Sequence, residues 1–326
     1  MFESMVSVII PNYNHFEYLT QRIDSVISQT YNNIEIIILD DCSLDNSRDI
    51  IEQYKNHPKV STVVYNKENS GSVFRQWTKG IKLAKGEYIW IAESDDFAEP
   101  ELLSKMIPVL DQDKEIGLIY CNSNVIYDKN NANKRLYTLN DLRRYMFKTP
   151  TWDSSFIMDG KLFLQKYLSK KCVINNASAV VMRKDALDLA NVNLEQFRYA
   201  GDWAAYNNIS MNFKIAFINE TLSNYRDHVS NTSKKAFINH KINYENYSII
   251  SKYYNYLLKN KSSTVKYIYS VRKSFLPLLI RSKDRKEIYK RYKSINSKMI
   301  NKALIFLPQV MIETYISRLL NKYVRK

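Results

Sequence analysis

A short acidic run, Glu93-Ser-Asp-Asp96, follows the apolar segment 88–92 and is the part of the sequence best suited to chemistry. Neighbouring carboxylates repel each other, so they stay charged at neutral pH only beside a cation or strong hydrogen-bond donors. A divalent metal that bridges phosphate oxygens meets this need, because it is held by one or two carboxylates. An isolated Asp-Asp pair also occurs in solvated turns, but the neighbouring Glu93 and a second acidic pair favour a metal–diphosphate site.

The second acidic pair, Asp40-Asp41, ends the apolar run 34–39. A carboxylate at this point could accept a hydrogen bond from a nucleotide base, whereas Asp45 is better explained as the cap of the next helix. Pro11 and Tyr13 close the first apolar run, and the Tyr13 ring could stack on a base or serve packing alone. We assign Pro11, Tyr13 and Asp41 to the nucleotide-sugar side of the site.

The segment Asn69-Ser-Gly-Ser72 turns before a predicted helix and would leave backbone amides free for phosphate. One glycine, Gly71, is a weak signal for such a loop. Arg75 lies one turn into the helix, where it could reach a diphosphate or remain a solvated surface arginine. We include Gly71 and Arg75 among the candidate nucleotide-sugar-binding residues.

Two further residues could complete a catalytic site. Asp202 stands between Gly201 and Trp203 at a predicted helix start, so it could act as a general base or cap the helix. His228 follows the last predicted strand and is a candidate metal ligand, with a surface histidine as the alternative. The histidines at positions 15, 57 and 240 carry no assignment.

The elements that must position these residues are strands and helices in alternation. Short apolar runs predict strands at 6–10, 34–39, 60–65, 88–92 and 116–121, with further strands at 177–182 and 214–218. Apolar residues at helical spacing lie between the first five, and Pro100 is predicted to begin one of these helices. Continuous apolar strands separated by helices indicate an α/β fold with a parallel sheet. Ligands bind such sheets at the carboxyl ends of the strands, where all three clusters fall.

The composition is that of a globular chain. Apolar residues make up 45% of the 326 positions, which excludes a disordered or collagen-like chain. Three cysteines without paired spacing indicate reduced thiols. The first residues lack the features of a secretory signal, and no apolar stretch is long enough to span a bilayer. We therefore expect a cytoplasmic protein that could associate peripherally with the inner face of the cell membrane.

The net charge of +15 is concentrated towards the end of the chain. Residues 1–233 carry 26 Lys and Arg against 29 Asp and Glu, whereas residues 234–326 carry 22 against 4. The second segment has no glycine and is rich in Lys, Tyr, Ile and Leu, which predicts helices. We expect an enzyme domain over 1–233 and a basic, Tyr-rich helical region over 234–326.

Taken in order, the motifs resemble those of the inverting family 2 glycosyltransferases of bacterial surface-polysaccharide type. The resemblance rests on the segments 6–14, 28–31, 35–41, 43–45, 79–81, 84–89 and 94–96. It is strong over residues 5–121 and loose over 170–232. It implies a Rossmann-like, A-type glycosyltransferase fold, a nucleoside-diphosphate sugar that we take as UDP-linked, and Mn²⁺ or Mg²⁺.

The resemblance also implies a role for each candidate in donor binding. Asp41 would read the base and Tyr13 would stack on it. Asp95 would meet the ribose, while Asp96 would hold the metal at the diphosphate, with His228 completing the metal site.

Asp202 matches the catalytic base of the family, although the usual Glu-Asp pair is Gly-Asp here. It would take the proton from an acceptor hydroxyl that attacks the anomeric carbon in line, and a single inversion results. The sequence has no Gln-x-x-Arg-Trp segment after Asp202, which argues against a processive synthase. The competing function is a nucleotide-sugar-binding protein or a nucleotidyltransferase, but residues 11–15 lack the glycine of a phosphate loop.

Three interpretations of residues 234–326 remain open. We favour an interfacial appendage that holds the enzyme on anionic lipid, near a lipid-linked saccharide acceptor. A packing module that forms a homodimer ranks second. Binding of nucleic acid through the basic and aromatic residues ranks last.

Overall fold

The computed structural model describes residues 3–127, 137–169, 171–228 and 241–253. The chain divides into two compact units, one formed by Met1–Leu164 with Cys172–Asn231 and the other by Gln165–Lys171 with Thr232–Lys326. The predicted boundary between residues 233 and 234 lies outside the described residues and stays a prediction.

One mixed sheet forms the centre of the first unit. Its strands are β1 (Val6–Asn12), β2 (Ile34–Asp40), β3 (Val60–Tyr65), β4 (Tyr88–Ile91), β5 (Phe97–Ala98), β6 (Ile116–Tyr127), β7 (Phe156–Met158), β8 (Val180–Arg183) and β9 (Lys214–Asp227). The order across the sheet is β3-β2-β1-β4-β8-β6-β9-β5, and β7 also pairs with β9.

Helices occupy most of the connections between the strands. The α-helices of the first unit are α1 (Phe16–Ile27), α2 (Ser47–Tyr54), α3 (Val73–Leu83), α4 (Leu102–Gln112), α5 (Leu139–Phe147), α6 (Gly160–Phe163), α7 (Lys184–Ala190) and α8 (Gly201–Ser210). Short 3-10 helices lie at Pro150–Asp153, Ala177–Ala179 and Leu194–Gln196, and a π-helix at Leu164–Leu168.

The half of the sheet that begins the chain has the expected parallel arrangement. β1 pairs in parallel with β2 and β4, and β2 pairs in parallel with β3. Every residue of β1 and β2 is buried, which explains why apolar residues predominate in both strands. On α1 the residues Leu19, Ile23 and Val26 recur at helical spacing and belong to the buried core.

The other half of the sheet contains the antiparallel pairs. β8 is antiparallel to both β4 and β6, and β5 and β7 are antiparallel to β9. The four longest ladders are nevertheless parallel, so the predicted α/β, mostly parallel fold is confirmed. The strand predicted at 214–218 continues to Asp227, because β6 extends to Tyr127 and pairs with it.

Three local predictions were wrong in detail. Residues 177–179, expected in a strand, form a 3-10 helix because the Asn176 side chain accepts the Ser178 N–H. Pro100 precedes α4, whose cap residue is Glu101. The cap residue of α2 is Asn46, while the two carboxylate oxygens of Asp45 accept the N–H groups of Ser47 and Phe16.

The carboxyl ends of β1 and β2 are joined by hydrogen bonds. Asp41 N–H donates to the Asn12 carbonyl over 2.8 Å, and Leu44 N–H donates to the Asn14 carboxamide over 2.7 Å. Asn14 and Cys42 have φ angles of 54° and 61°, in the left-handed region that asparagine tolerates better than most residues. The two turns therefore form one fixed edge next to the sheet.

In the second unit the structure describes α9 (Lys241–Lys252). Residues 254–326 lie outside the described residues, so their predicted helical character stays a prediction. Within the ranges that the structure describes, no helix is both long and apolar enough to cross a bilayer.

Candidate active site

The acidic turn at 93–96 lies at the carboxyl end of β4. Ala92 N–H donates to the Ile9 carbonyl over 2.8 Å, which continues the pairing with β1 up to the turn. On the other side, Glu93 N–H donates to the Ser178 hydroxyl over 3.1 Å. Strand β1 on one side and the 3-10 helix Ala177–Ala179 on the other thus hold the turn.

Asp95 contacts a histidine at the end of β9. Its Oδ2 lies 2.9 Å from Nε2 of His228, whose side chain is only 2% exposed. Burial tends to raise the pKa of Asp95, but the His228 hydrogen bond and the charges of His15 and His228 lower that pKa below its usual range. Asp95 is therefore a carboxylate at neutral pH.

His15, in the connection between β1 and α1, joins this pair. One ligand atom from each of His15, Asp95 and His228 lies within 4.8 Å of the others. Ser94 Oγ lies 2.8 Å from Nδ1 of His15. Burial lowers the pKa of His15 and favours the neutral imidazole, the form that binds metals. Two imidazoles and one carboxylate are a donor set that fits a divalent cation.

Asp96 has different partners. It is 2% exposed, and its Oδ1 accepts the backbone N–H of Arg226 over 2.9 Å. Burial and the charge of Asp95 raise the pKa of Asp96 to about 7. The structure thus brings His228 to Asp95, and the metal role expected for Asp96 stays a prediction.

A fully buried arginine lies beside the acidic turn. Arg22, on α1, donates from Nε to the Glu93 carbonyl over 2.8 Å, and its guanidinium carbon lies 5.9 Å from the centre of the Trp90 ring. Burial lowers the pKa of Arg22 to about 10, while Asp96 and Asp95 act in the opposite direction. Arg22 is therefore a cation at neutral pH that offsets part of the carboxylate charge.

Asp41 is a hydrogen-bonding centre for the loop that contains Gly71. Its Oδ1 accepts from Asn66 Nδ2 (2.6 Å), Ser70 N (2.9 Å) and Gln76 Nε2 (2.9 Å), and its Oδ2 accepts from Ser70 Oγ (2.7 Å). The residue is 4% exposed. The Asp41 carboxylate thus fixes this loop. A nucleotide base would have to share the carboxylate oxygens with these donors, so the role of Asp41 in reading the base stays a prediction.

A cleft of about 430 Å³ opens beside this loop. Its lining comprises Asn66, Ser70, Arg75, Gln76, Lys79, Lys82, Leu83 and Glu195. Arg75 is exposed and donates to the Ser70 carbonyl over 2.8 Å. Gly71 has a φ of 75°, which favours glycine, and a Cβ there would meet no atom within 4 Å. The cleft therefore offers the cations of Arg75, Lys79 and Lys82 to an anionic ligand.

The two remaining candidates on the nucleotide side differ in exposure. Pro11 is buried within β1 opposite Leu39, so it acts through the strand rather than through an accessible side chain. Tyr13 is 41% exposed, which leaves its ring accessible for stacking. Both assignments stay predictions.

Asp202 lies in the first turn of α8, where its Oδ1 accepts the Trp203 N–H over 2.7 Å. A Cβ on Gly201 would lie 2.7 Å from the Phe74 ring, and Phe74 packs edge to face on Trp77 with ring centres 5.1 Å apart. Trp77 in turn hydrogen bonds to Glu93. A continuous set of contacts therefore links the start of α8 to the acidic turn, and the role of Asp202 as a base stays a prediction.

Two residues of this site, His15 and Arg22, were not among the candidates predicted from the sequence. His15 directly follows the first polar cluster, and its position at a strand end was the signal that could have identified it as a site residue. Arg22 lies on the apolar stripe of α1 next to Ile23, and a charged residue at such a helical position is rarely buried without a partner.

Two curated relatives each match part of the chain. Glycosyltransferase GlyG of Streptococcus pneumoniae is 36% identical over 136 residues, which is 41% of this chain and 43% of GlyG. The poly(ribitol-phosphate) beta-glucosyltransferase of Bacillus spizizenii is 39% identical over 100 residues, which is 30% of this chain and 16% of that protein. The chain thus spans less than half the length of each of these relatives.

A solved structure has a similar fold. Residues 1–349 of TarS from S. aureus, in complex with UDP, superpose with a TM-score of 0.62 over 92% of this chain and 83% of that one. The sequence identity is 17%, so this likeness concerns the fold.

The family model for glycosyl transferase family 2 matches residues 7–187, more than half of the chain. The matched range contains β1 to β4 and the acidic turn that carries Asp95 and Asp96. The family predicted from the sequence motifs is therefore confirmed: the chain belongs to glycosyl transferase family 2.

Proposed function

We propose that the protein is a metal-dependent, inverting glycosyltransferase that moves one sugar from a UDP-linked donor to a saccharide acceptor. The observation that carries the proposal is the pairing of Asp95 with buried His228, next to Asp96, at the carboxyl end of a parallel strand. This arrangement combines carboxylates and imidazole at the edge of the sheet where ligands bind.

The nucleotide binds beside the turns that follow β1 and β2. Asp41 contacts the base, Tyr13 stacks on it, and Asp95 lies on the ribose side. Gly71 and Arg75 contact the diphosphate. The exposed ring of Tyr13 and the cationic cleft at Arg75 support this assignment, as does the UDP bound to the similar fold of TarS.

Mn²⁺ or Mg²⁺ is held at the acidic turn, with Asp96 and His228 as the ligands expected from the motifs. When bound, the ion supplies positive charge to the leaving diphosphate. The buried guanidinium of Arg22 adds a fixed positive charge to the same region.

Asp202 acts as the general base. Its carboxylate takes the proton of an acceptor hydroxyl, the hydroxyl oxygen forms a bond to the anomeric carbon, and the bond from that carbon to the diphosphate breaks with UDP as the leaving group. The attack is in line, so the anomeric configuration inverts once. The contacts that connect the start of α8 with Glu93 support a position near the donor.

The acceptor belongs to a cell-surface polysaccharide such as an O-antigen, a capsule or a lipooligosaccharide, and is carried on a lipid. The relative that glucosylates poly(ribitol-phosphate) supports an acceptor of this kind. The charge of residues 234–326, 22 Lys and Arg against 4 Asp and Glu, supports peripheral binding to the anionic inner face of the membrane.

A donor screen tests the proposal. The purified chain is incubated with a panel of UDP-, GDP- and dTDP-sugars, with Mn²⁺ or Mg²⁺, and release of nucleoside diphosphate is measured with and without a saccharide acceptor. We expect release from one UDP-sugar that increases with acceptor. Tight UDP binding without release or transfer would instead favour the alternative of a nucleotide-sugar-binding protein.

A further inference from the structure

We propose that Tyr206 is a positioning residue for the general base, because its buried hydroxyl donates a hydrogen bond to the Asp202 carboxylate when that carboxylate turns towards an acceptor. The inference rests on the proposed function, since it takes Asp202 as the group that receives the acceptor proton. It adds the residue that holds this carboxylate in its active orientation.

The Tyr206 hydroxyl has no hydrogen-bond partner within the part of the chain that the structure describes. Tyr206 is 0% exposed and is one of the largest fully buried side chains. A hydroxyl that leaves water without gaining a partner costs free energy, so buried hydroxyls are nearly always hydrogen-bonded. The unpaired hydroxyl of Tyr206 therefore calls for a partner in another state of the protein.

Helix α8 brings the Tyr206 side chain to the face that carries Asp202. The two residues are four positions apart, which places them one turn from each other on the same face of the helix. Helical side chains lean towards the N-terminus of their helix, so the Tyr206 ring extends over the turn that contains Asp202. Eight of the ten residues of α8 are buried, and this packing holds the ring in place.

The charges around the hydroxyl agree with this geometry. Burial raises the pKa of the Tyr206 hydroxyl well above its ordinary value. Negative charge on Asp202, and then on Cys172 and Glu93, acts in the same direction. Cys172 already donates to a backbone carbonyl over 3.1 Å, and Glu93 already accepts the Trp77 indole N–H. The hydroxyl therefore keeps its proton at neutral pH, and Asp202 is the acceptor that its own helix offers.

The Asp202 carboxylate is turned towards its own helix in the structure. Its Oδ1 accepts the Trp203 N–H over 2.7 Å, so this oxygen does not point at an acceptor hydroxyl. Asp202 is partly exposed, which leaves its side chain room to rotate. Rotation exchanges the Trp203 N–H for the Tyr206 O–H as the donor. The new bond fixes one carboxylate oxygen and leaves the other for the acceptor proton.

A hydroxyl that binds a buried water and never contacts Asp202 is the competing explanation. Buried waters commonly satisfy polar groups of this kind. In that case the loss of the hydroxyl oxygen leaves both the rate of transfer and the titration of Asp202 unchanged. The two explanations therefore differ in measurable properties of Asp202.

The test compares Tyr206→Phe with Tyr54→Phe. Both changes remove one hydroxyl and keep the ring. The Tyr54 hydroxyl donates to Asp24 Oδ1 over 2.7 Å, between α2 and α1, so this variant controls for the loss of a tyrosine–carboxylate bond elsewhere. Unfolding curves verify that both variants fold. The pH profile of kcat is measured with the UDP-sugar and the saccharide acceptor that support release in the donor screen, and UDP binding is measured by calorimetry.

A second measurement needs no sugar transfer. The full chain is labelled with ¹³C at its aspartate carboxyl groups, and UDP and Mg²⁺ are added. The Asp202 signal is identified by its absence from the spectrum of Asp202→Asn. Its titration with pH is then compared between the wild type, Tyr206→Phe and Tyr54→Phe.

We expect Tyr206→Phe to lower kcat about 10- to 100-fold, because the base is no longer held in line with the acceptor, and to leave the Kd for UDP unchanged. A hydrogen bond donated to a carboxylate stabilises its ionised form. Its loss should therefore move the acidic limb of the kcat profile, and the titration of the Asp202 signal, to higher pH. Tyr54→Phe should match the wild type in each measurement.

The proposal is overturned if Tyr206→Phe matches Tyr54→Phe in rate and titration, as a buried water predicts. A lower rate with an unshifted Asp202 titration also overturns it, because disturbed packing explains such a loss. If Asp202→Asn transfers sugar at the wild-type rate, or if the wild type transfers none, the proposed function fails. The titration of the Asp202 signal then decides by itself whether the Tyr206 hydroxyl contacts this carboxylate.

Discussion

Trp77 donates its indole N–H to Oε1 of the Glu93 carboxyl group over 2.8 Å, and this bond connects α3 to the acidic turn. Trp77 is only 2% exposed. Burial and the nearby charge of Asp95 raise the pKa of Glu93 to about 8. The acidic turn therefore contains a carboxyl group that keeps its proton near neutral pH.

Replacing Glu93 by glutamine should change how stability depends on pH. The folded chain keeps a proton on Glu93 that the unfolded chain releases above its ordinary pKa of 4.5, so the contribution of Glu93 to the stability of the wild type falls as the pH rises from 4.5 to about 8. Glu93→Gln keeps the acceptor oxygen for Trp77 and has no proton to lose. We expect the variant to gain stability relative to the wild type over this range, measured by chemical denaturation with EDTA present.

Glu35→Gln is the matched control, because it should show the opposite sign. Burial tends to raise the pKa of Glu35, but hydrogen bonds from the Ser7 hydroxyl and the Lys85 N–H, both 2.6 Å, lower it. The stabilisation by Glu35 is thus present above pH 4.5 and is lost as the pH falls through the lowered pKa. Equal pH dependence in wild type and Glu93→Gln would contradict the protonated state of Glu93.

Asp202→Asn should abolish sugar transfer and leave donor binding nearly intact. The amide cannot take the acceptor proton, but its oxygen can still accept the Trp203 N–H that Asp202 Oδ1 accepts now. We expect transfer to fall by about 10²- to 10⁴-fold, the usual contribution of a general base. The rate is measured with saturating donor, and UDP binding by calorimetry.

Asp185→Asn, in the first turn of α7, controls for the loss of a charge at a helix start. It should keep the wild-type rate. If Asp202→Asn also transferred sugar at the wild-type rate, another group would have to serve as the base.

Arg75→Ala should weaken UDP binding without weakening the fold. Arg75 is exposed and its described hydrogen bond is to the Ser70 carbonyl, so its removal should change the unfolding free energy by less than about 0.5 kcal/mol. Loss of one charge-assisted contact to the diphosphate, about 1.4 kcal/mol, raises the Kd about tenfold. Calorimetry with UDP measures this. Lys55→Ala, which removes an exposed cation directly after α2, should bind UDP like the wild type, and equal affinities in both variants would exclude Arg75 from the site.

The predictable part of the structure is the part made by local patterns. The runs 6–10, 34–39, 60–65 and 88–92 are mostly apolar, and this pattern alone indicated parallel strands with polar residues at their carboxyl ends. The acidic turn could be located for the same reason, since Asp95 and Asp96 directly follow one of these strands.

The rest depends on contacts between distant residues, which local patterns do not encode. Asp95 and His228 are 133 positions apart, and their contact follows from the pairing of β5 and β6 with β9. The antiparallel insertion of β8 between β4 and β6 is likewise invisible in its own sequence, because a short apolar run fits either direction. The hydrogen bonds that saturate Asp41 come from the loop after β3 and from the first turn of α3, 25 to 35 positions away.

Gly201→Ala should disturb the start of α8 through one specific contact. The added Cβ would lie 2.7 Å from the Phe74 ring, closer than real contacts allow. Alanine is the better helix former, so a net loss of stability, expected at about 1–3 kcal/mol, must come from this clash. Phe74→Ala removes the Cγ and Cδ1 atoms that the added Cβ would meet, so the double variant should lose less stability than the sum of the two single losses, as measured in denaturant. Transfer should fall in Gly201→Ala, because the clash shifts Asp202. If Gly201→Ala kept full stability and full transfer, the packing of α8 on Phe74 would have no role in positioning the base.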